Sequence, residues 1–331
     1  MFLGGGGPAL GAGLFSMYDL VGGDERMKSR LLPRLRRDMG RNWGLYLLAL
    51  PMVLFYLIFC YGPIYGQIIA FKDFSPGLGI WGSPWVGFQH FVDFFNSRTC
   101  WELIRNTLMI NLYGLVFGLP APIIFALLLN EVKNSAFKRT IQTVSYLPYF
   151  ISLVVACGMI LEFTRQDGVV NDLIALFGGK RVSFMLDPDW FWPIYTITDI
   201  WQGLGWGSII YIAAITNIDQ GLYEAATIDG AGRWRKMWHI TLPGIRETIA
   251  IVYIMKIGQM MSLGFEKIIL LYNGMTYETA DVISTYIYRM GLMQMNYSYS
   301  SAVGLFNSVI NLVLLVVANK VSKRLFETSM W

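Results

Sequence analysis

The sequence predicts an all-α membrane protein of about six helical spans with both termini in the cytoplasm, and three observations lead there. The first is composition: 55% of the 331 residues are apolar and 15% are charged, where a soluble domain carries roughly 25% charge. A chain this short of charge cannot cover its own surface with polar groups, so part of its solvent is lipid. The mean hydropathy of +0.47 agrees. The second is length. A bilayer core about 30 Å thick needs roughly 20 apolar helical residues, and six stretches supply them, near 43–71, 105–129, 141–163, 190–216, 245–271 and 299–319. The third is the alternation of basic loops, which sets orientation.

Taken in chain order, residues 1–42 form a Gly-rich and then basic segment ahead of the transmembrane domain, 43–331. Residues 1–23 have no basic run before their apolar stretch, so they do not read as a secretory signal but as a cytoplasmic tail. Arg26, Lys28, Arg30, Arg34, Arg36, Arg37 and Arg41 precede span one. Lys133, Lys138 and Arg139 lie between spans two and three, and Arg233, Arg235, Lys236 and Arg246 between four and five. Lys320, Lys323 and Arg324 follow span six. The alternate loops are poorer in cations and carry Asp167, Asp172, Asp187 and Asp189. Prolines 51, 63, 120, 122 and 148 and glycines 203, 205 and 207 fall within spans. In lipid such residues are tolerated where neighbours satisfy the freed carbonyls, as in a bundle that rearranges, although each also fits an ordinary packing kink.

Several chemistries are excluded. Cys60, Cys100 and Cys157 are scattered and offer no disulfide framework or zinc spacing. His90 and His239 are too few for a histidine-built metal site. There is no GxxxxGK[ST] run, and Gly178-Gly179-Lys180-Arg181 lacks both the leading glycine spacing and the hydroxyl. HExxH and GxSxG are absent. The chain therefore works alone as a passive or ion-driven carrier, or it draws energy from a separate protein.

The segment 217–244 decides between them. It reads as a short helix capped by Asp219, a turn at Gly230, and a second amphipathic helix ended by Pro243. Trp234, Met237, Trp238 and Leu242 recur near helical spacing in that second piece, with Arg233, Arg235 and Lys236 at the headgroups. Ala225 and Ala226 leave a surface that another protein can approach closely.

The run from Glu224-Ala225-Ala226 through Asp229-Gly230-Ala231 to Leu242-Pro243 resembles the EAA loop of binding-protein-dependent ABC importer permeases. Beyond residue 36, Arg37-Asp38-Met39-Gly40-Arg41-Asn42-Trp43, Ile69-Ala70-Phe71-Lys72-Asp73-Phe74 and Trp85-Val86-Gly87-Phe88 resemble the LplB-type branch of carbohydrate permeases. So do Ile200–Ser208, Gly264-Phe265-Glu266-Lys267 and Tyr277-Glu278-Thr279-Ala280-Asp281. That branch includes subunits of oligosaccharide and alginate importers. The resemblance implies a type I importer permease fold in the bacterial inner membrane, with the loop between spans four and five facing the cytoplasm. It implies four kinds of partner: a second permease, a pair of ATPase subunits, an extracytoplasmic solute-binding protein and lipid. No cofactor is expected on this chain, because ATP and magnesium bind the ATPase subunits, and no catalysis is expected on it either. The coupling residues implied are Glu224, Ala225, Ala226, Asp229, Gly230, Ala231, Leu242 and Pro243.

Polar and aromatic groups inside spans tend to face a cavity. Asp199, Trp201, Gln202 and Trp206 in span four, with Lys256, Gln259, Glu266 and Lys267 in span five, are the expected solute pathway. Lys256 favours an acidic sugar such as a uronate oligomer, unless it pairs with a carboxylate of the partner permease; the tryptophans fit belt or packing roles equally well. Three rivals remain: a self-sufficient secondary carrier or channel, for which Asp199 and Glu266 are the available carboxylates, a membrane-embedded enzyme acting on glycans, and a scaffold or sensor with no transport role.

Overall fold

The computed structural model describes residues 40–258, 260 and 263–326. The basic residues from Arg26 to Arg37, and Gln259 of the expected pathway, lie outside them. The chain divides into two compact units, Met1–Gly66 and Gln67–Trp331. No strand occurs among the described residues; one isolated antiparallel bridge joins Lys72 and Trp85.

Three helices are long and apolar enough to cross a bilayer: α1 (Trp43–Phe71), the segment Arg98–Asn130, and Tyr297–Val321. The elements after α1 are α2 (Gln89–Asn96) and α3 (Arg98–Asn130), then α4 (Ser135–Phe150), α5 (Leu153–Thr164) and α6 (Val169–Leu176). The long α7 (Phe191–Thr216) leads to α8 (Gln220–Ile228), α9 (233–244) and α10 (Arg246–Ile257). Then come α11 (Phe265–Leu271), α12 (Tyr277–Ala280), α13 (Ile283–Tyr288) and α14 (Tyr297–Phe326).

Two of the expected spans are not straight rods. The third is broken at Ile151 and Ser152, where Ser135–Phe150 and Leu153–Leu176 meet at 101°. Pro148 removes a donor just before the break, and the Ser152 hydroxyl caps the next helix by accepting from the Val155 N–H. The fifth divides into α10 and α11 between Gly258 and Gly264. The fourth is a single helix, α7, of 26 residues and about 39 Å. Its three glycines, Asp199 and Gln202 dilute its apolar character.

Within the second unit α3 is the spine. Cys100 and Leu103 pack with Phe94, Ile283, Tyr286 and Val303; Ile110 packs with Phe191, Tyr195, Ile268 and Val282. Ile123 and Ala126 pack with Tyr211, Ile215 and Ile245. Near its start α3 also grips α12 through polar atoms. The fully buried Asn106 donates from Nδ2 to the carbonyls of Glu278 and Asp281, each at 2.9 Å, and Arg105 donates to the same Glu278 carbonyl. The Asp281 carboxylate accepts from Thr285 and twice from Arg289, the shorter contact being 2.6 Å. From the far side Trp192 donates to the Thr279 carbonyl, and the Thr279 hydroxyl donates to Pro188. The carbonyls of Glu278, Thr279 and Asp281 are thereby paired within the protein, as buried polar groups need to be.

α7 crosses α4 at Gly205, where a Cβ would stand 2.2 Å from the Ser145 carbonyl oxygen. Small residues at such crossings let helix backbones meet. Gly203 has nothing within 4 Å of the equivalent position. Gly205→Ala should therefore cost about 1–3 kcal/mol by overpacking, read as a lower unfolding temperature in detergent, while Gly203→Ala leaves it unchanged. Equal effects would contradict the close crossing.

Candidate functional site

The hairpin after α7 is set by local chemistry. The Asp219 carboxylate accepts from the Gly221 N–H at 2.9 Å and caps α8. Gly230, at φ +74°, closes the helix, with the Ala231 N–H reaching the Ala226 carbonyl at 2.8 Å. That conformation is costly for any residue with a Cβ.

The hairpin's root is held on the core. Gly244 lies so close to Ile218 that a Cβ would meet its Cδ1 at 2.6 Å. Ile218 and Leu242 pack on the cluster of Ile123, Ala126, Tyr211, Ile215 and Ile245, which α3, α7 and α10 share. The Tyr223 and Thr241 hydroxyls lie 2.9 Å apart, and Lys236 donates to the Thr227 hydroxyl at 2.6 Å. α8 is therefore tied to α9, and both to the bundle.

The outer face is bare. No residue of α8 is buried; Leu222 is 53% exposed and Ile228 86%. Of the expected coupling residues, Glu224, Ala225, Asp229, Gly230 and Pro243 are exposed, and Ala226, Ala231 and Leu242 are half-buried. A cavity of about 160 Å³ lies beside them among Leu128, Glu131, Arg233, Trp234 and Met237. An apolar and acidic face on a firmly held root is a surface that can receive force and pass it to three helices.

The expected pathway residues fall into separate places. Asp199 and Lys256 line one cavity of about 250 Å³, together with Asn111, Gly114 and Gly118 of α3 and Tyr195 of α7. Lys267 stands behind Asp199: its ammonium lies 3.2 Å from Oδ1, donates to the Tyr195 carbonyl at 3.1 Å, and sits 4.1 Å from the centre of the Tyr195 ring. The Lys267 side chain is 8% exposed and that of Asp199 is 59% exposed. Glu266 is exposed on α11, with Oε2 turned toward Gly264 at the cavity rim.

The remaining three lie away from that cavity. Gln202 donates to the carbonyl of Ile151, in the break of span three, at 3.2 Å. Trp206 stacks on Tyr149, with ring centres 4.6 Å apart. Trp201 is half-buried and does not line the cavity. Gln202 and Trp206 thus brace the kink. Asn111 and Tyr195 were not singled out from sequence; the one available signal was a polar Asn in the middle of an apolar span.

A larger cavity, about 720 Å³, opens in the loop before α7 among Arg165, Asp167, Asp172, Arg181 and Phe184. Its charges are matched, Arg165 with Glu162 and Asp167 and Arg181 with Asp172. The fully buried Asn171 shapes it, bonding the backbone of Arg165 and Val182.

Residues 118–327 match the family model described as "Binding-protein-dependent transport system inner membrane component". The chain is 47% identical to Protein LplB of Bacillus subtilis (strain 168) over 90% of its own length and 96% of that protein. It is 45% identical to the polygalacturonan/rhamnogalacturonan transport system permease protein YteP of the same strain, over 87% of this chain and 90% of that one. A crystal structure of a bacterial ABC transporter involved in the import of the acidic polysaccharide alginate holds a chain 44% identical, with a TM-score of 0.82 over 88% of this chain and 99% of that chain. A second, of an alginate ABC transporter in complex with an alginate pentasaccharide-bound periplasmic protein, gives 0.83 at 44% identity over 90% and 100%.

The Asp199–Lys267 pair invites a direct check. A buried ammonium that loses its carboxylate keeps its desolvation cost, reduced here because Asp199 meets solvent. Asp199→Asn should lower stability in detergent by about 1–2 kcal/mol, and adding Lys267→Met should recover part of the loss. A double variant less stable than the single one would show that Lys267 contributes chiefly through other contacts.

Proposed function

The chain belongs to the family of binding-protein-dependent transport system inner membrane components, and from that membership we propose that it is the permease subunit of an ATP-driven importer of acidic oligosaccharide. In this reading it encloses the translocation pathway with a second, related permease. Two ATPase subunits supply the energy, and an extracytoplasmic binding protein delivers the solute. Hydrolysis belongs to the ATPases; this chain performs none.

The saccharide reading is supported by one relative named for polygalacturonan/rhamnogalacturonan transport and by the likeness to an importer of an acidic polysaccharide. The six-span topology with both termini in the cytoplasm is supported by the alternation of basic loops. The two broken spans fit that topology, because interrupted helices are tolerated in a membrane where their freed backbone is buried or lines a cavity.

The observation that carries the coupling role is the contrast within the hairpin, an exposed α8 face on a root packed into α3, α7 and α10. Glu224, Ala225 and Asp229 would meet the ATPase cleft. Gly230 holds the turn that aims them, and Leu242 and Pro243 fix the return to the bundle. Closure of the ATPase dimer on ATP would draw this face inward and tilt the spans outward-open. That requires ATP to favour the outward-open assembly, since a ligand shifts an equilibrium only through differential affinity.

Reversing the exposed charge in Glu224→Lys, or forcing a large side chain onto a positive φ in Gly230→Trp, should leave insertion and expression near normal. Both should cut ATP-driven uptake in reconstituted vesicles about tenfold or more while ATPase activity persists. Normal uptake by either variant would remove the coupling role from α8.

A further inference from the structure

The cavity between α3, α7 and α10 has a charge imbalance. Among the described residues two side chains that carry charge at neutral pH line it, Asp199 and Lys256. Asp199 is already matched by Lys267 from behind, at 3.2 Å. Among the described residues Lys256 has no ion-pair or hydrogen-bond partner. Glu266 turns toward Gly264 at the rim without reaching Lys256. The lining therefore presents one unmatched ammonium at the end of a helix expected to span the membrane.

Such a group is expensive at that depth, by roughly 2.5–3.5 kcal/mol on insertion scales, and it is kept where something compensates it. The rest of the wall indicates what kind of compensation fits. Gly114 and Gly118, one helical turn apart on α3, have nothing within 4 Å of their absent Cβ positions, which leaves a flat backbone surface. The Asn111 amide nitrogen is held by the Thr107 carbonyl at 2.7 Å, so its oxygen can accept a hydroxyl. The outer oxygen of Asp199 can do the same. At about 250 Å³ the space falls just below the roughly 300–1,000 Å³ of pockets that enclose a whole drug-sized ligand. That is a size suited to one sugar ring.

We propose that this cavity is a transit subsite for one carboxylated sugar ring, with Lys256 pairing with the carboxylate while Asn111 and Asp199 take hydroxyls. The proposal rests on the saccharide-permease reading above and adds to it the residue that distinguishes charged from uncharged sugar. A single contact of this kind suits passage, which needs binding strong enough to admit the solute and weak enough to release it.

The test uses the complete importer in vesicles with its own binding protein, supplied with a uronate oligosaccharide or its methyl ester of equal length, each saturating the binding protein. The acid-to-ester ratio of initial uptake rates is compared between importers, so that selectivity of the binding protein cancels. Lys256→Gln should lower the ratio about tenfold, and Lys256→Arg should keep it. Asn111→Asp, nearly isosteric and on another helix, should also lower it, and decides the matter if Lys256→Gln fails to assemble. An unchanged ratio overturns the subsite. So does an equal loss of both substrates, the expected result if Lys256 pairs with the second permease instead. Wild-type vesicles that accumulate neither sugar with ATP would sink the saccharide reading itself, whereas normal wild-type uptake with an unmoved ratio sinks only the subsite.

Discussion

The rest of the structure depends on α7 remaining one unbroken helix from Phe191 to Thr216. Its buried residues include Phe191, Tyr195, Thr198, Gly205, Ser208, Tyr211 and Ile215, so it is packed along its whole length and not only at its ends. Trp192 joins it to the α12 turn at one end. Asp199 opens onto the cavity partway along, and Ile215 meets Ile218 and Ile245 at the root of the hairpin. A helix packed this way transmits displacement with little internal give, because well-packed interiors compress poorly. α7 thus links the root of the hairpin carrying α8 to the cavity wall at Asp199.

Around this rod the neighbouring helices are interrupted. α4 and α5 meet at a sharp bend at Ile151 and Ser152, and α10 ends at Ile257 before α11 begins at Phe265. In lipid a broken helix must have its freed backbone satisfied from within the protein, and α7 does this at one break: Gln202 donates to the Ile151 carbonyl while Trp206 covers Tyr149. The second break contributes Met260, Leu263 and Gly264 to the cavity wall. A continuous rod flanked by jointed helices can tilt without unfolding its surroundings.

What could be read from sequence was what depends on near neighbours. The Asp219 cap, the Gly230 turn and the return at Pro243 all follow from residues within a few positions of one another. The apolar stretches follow from composition alone. What could not be read depends on partners far apart in the chain. Lys267 and Asp199 are separated by 68 residues, and both were expected to face solute, yet Lys267 faces Asp199. Gln202 and Trp206 looked like pathway groups because they are polar or aromatic within a span. Their partners, a carbonyl at a helix break and a tyrosine beside it, become visible only once the break is known. The Tyr277–Asp281 motif has no local signal of what it does; in the structure Asn106, some 170 residues away, satisfies the carbonyls of Glu278 and Asp281.

The central claim, that force from nucleotide hydrolysis enters through the exposed face of α8, is tested most directly by proximity. With the exposed Cys60 replaced by serine, a cysteine at Ile228 should cross-link through a short reagent to an ATPase subunit in native membranes, and the yield should change when ATP is added. Absence of any cross-link to a nucleotide-hydrolysing protein, or labelling of that cysteine by an impermeant reagent applied from outside the membrane, would contradict the account.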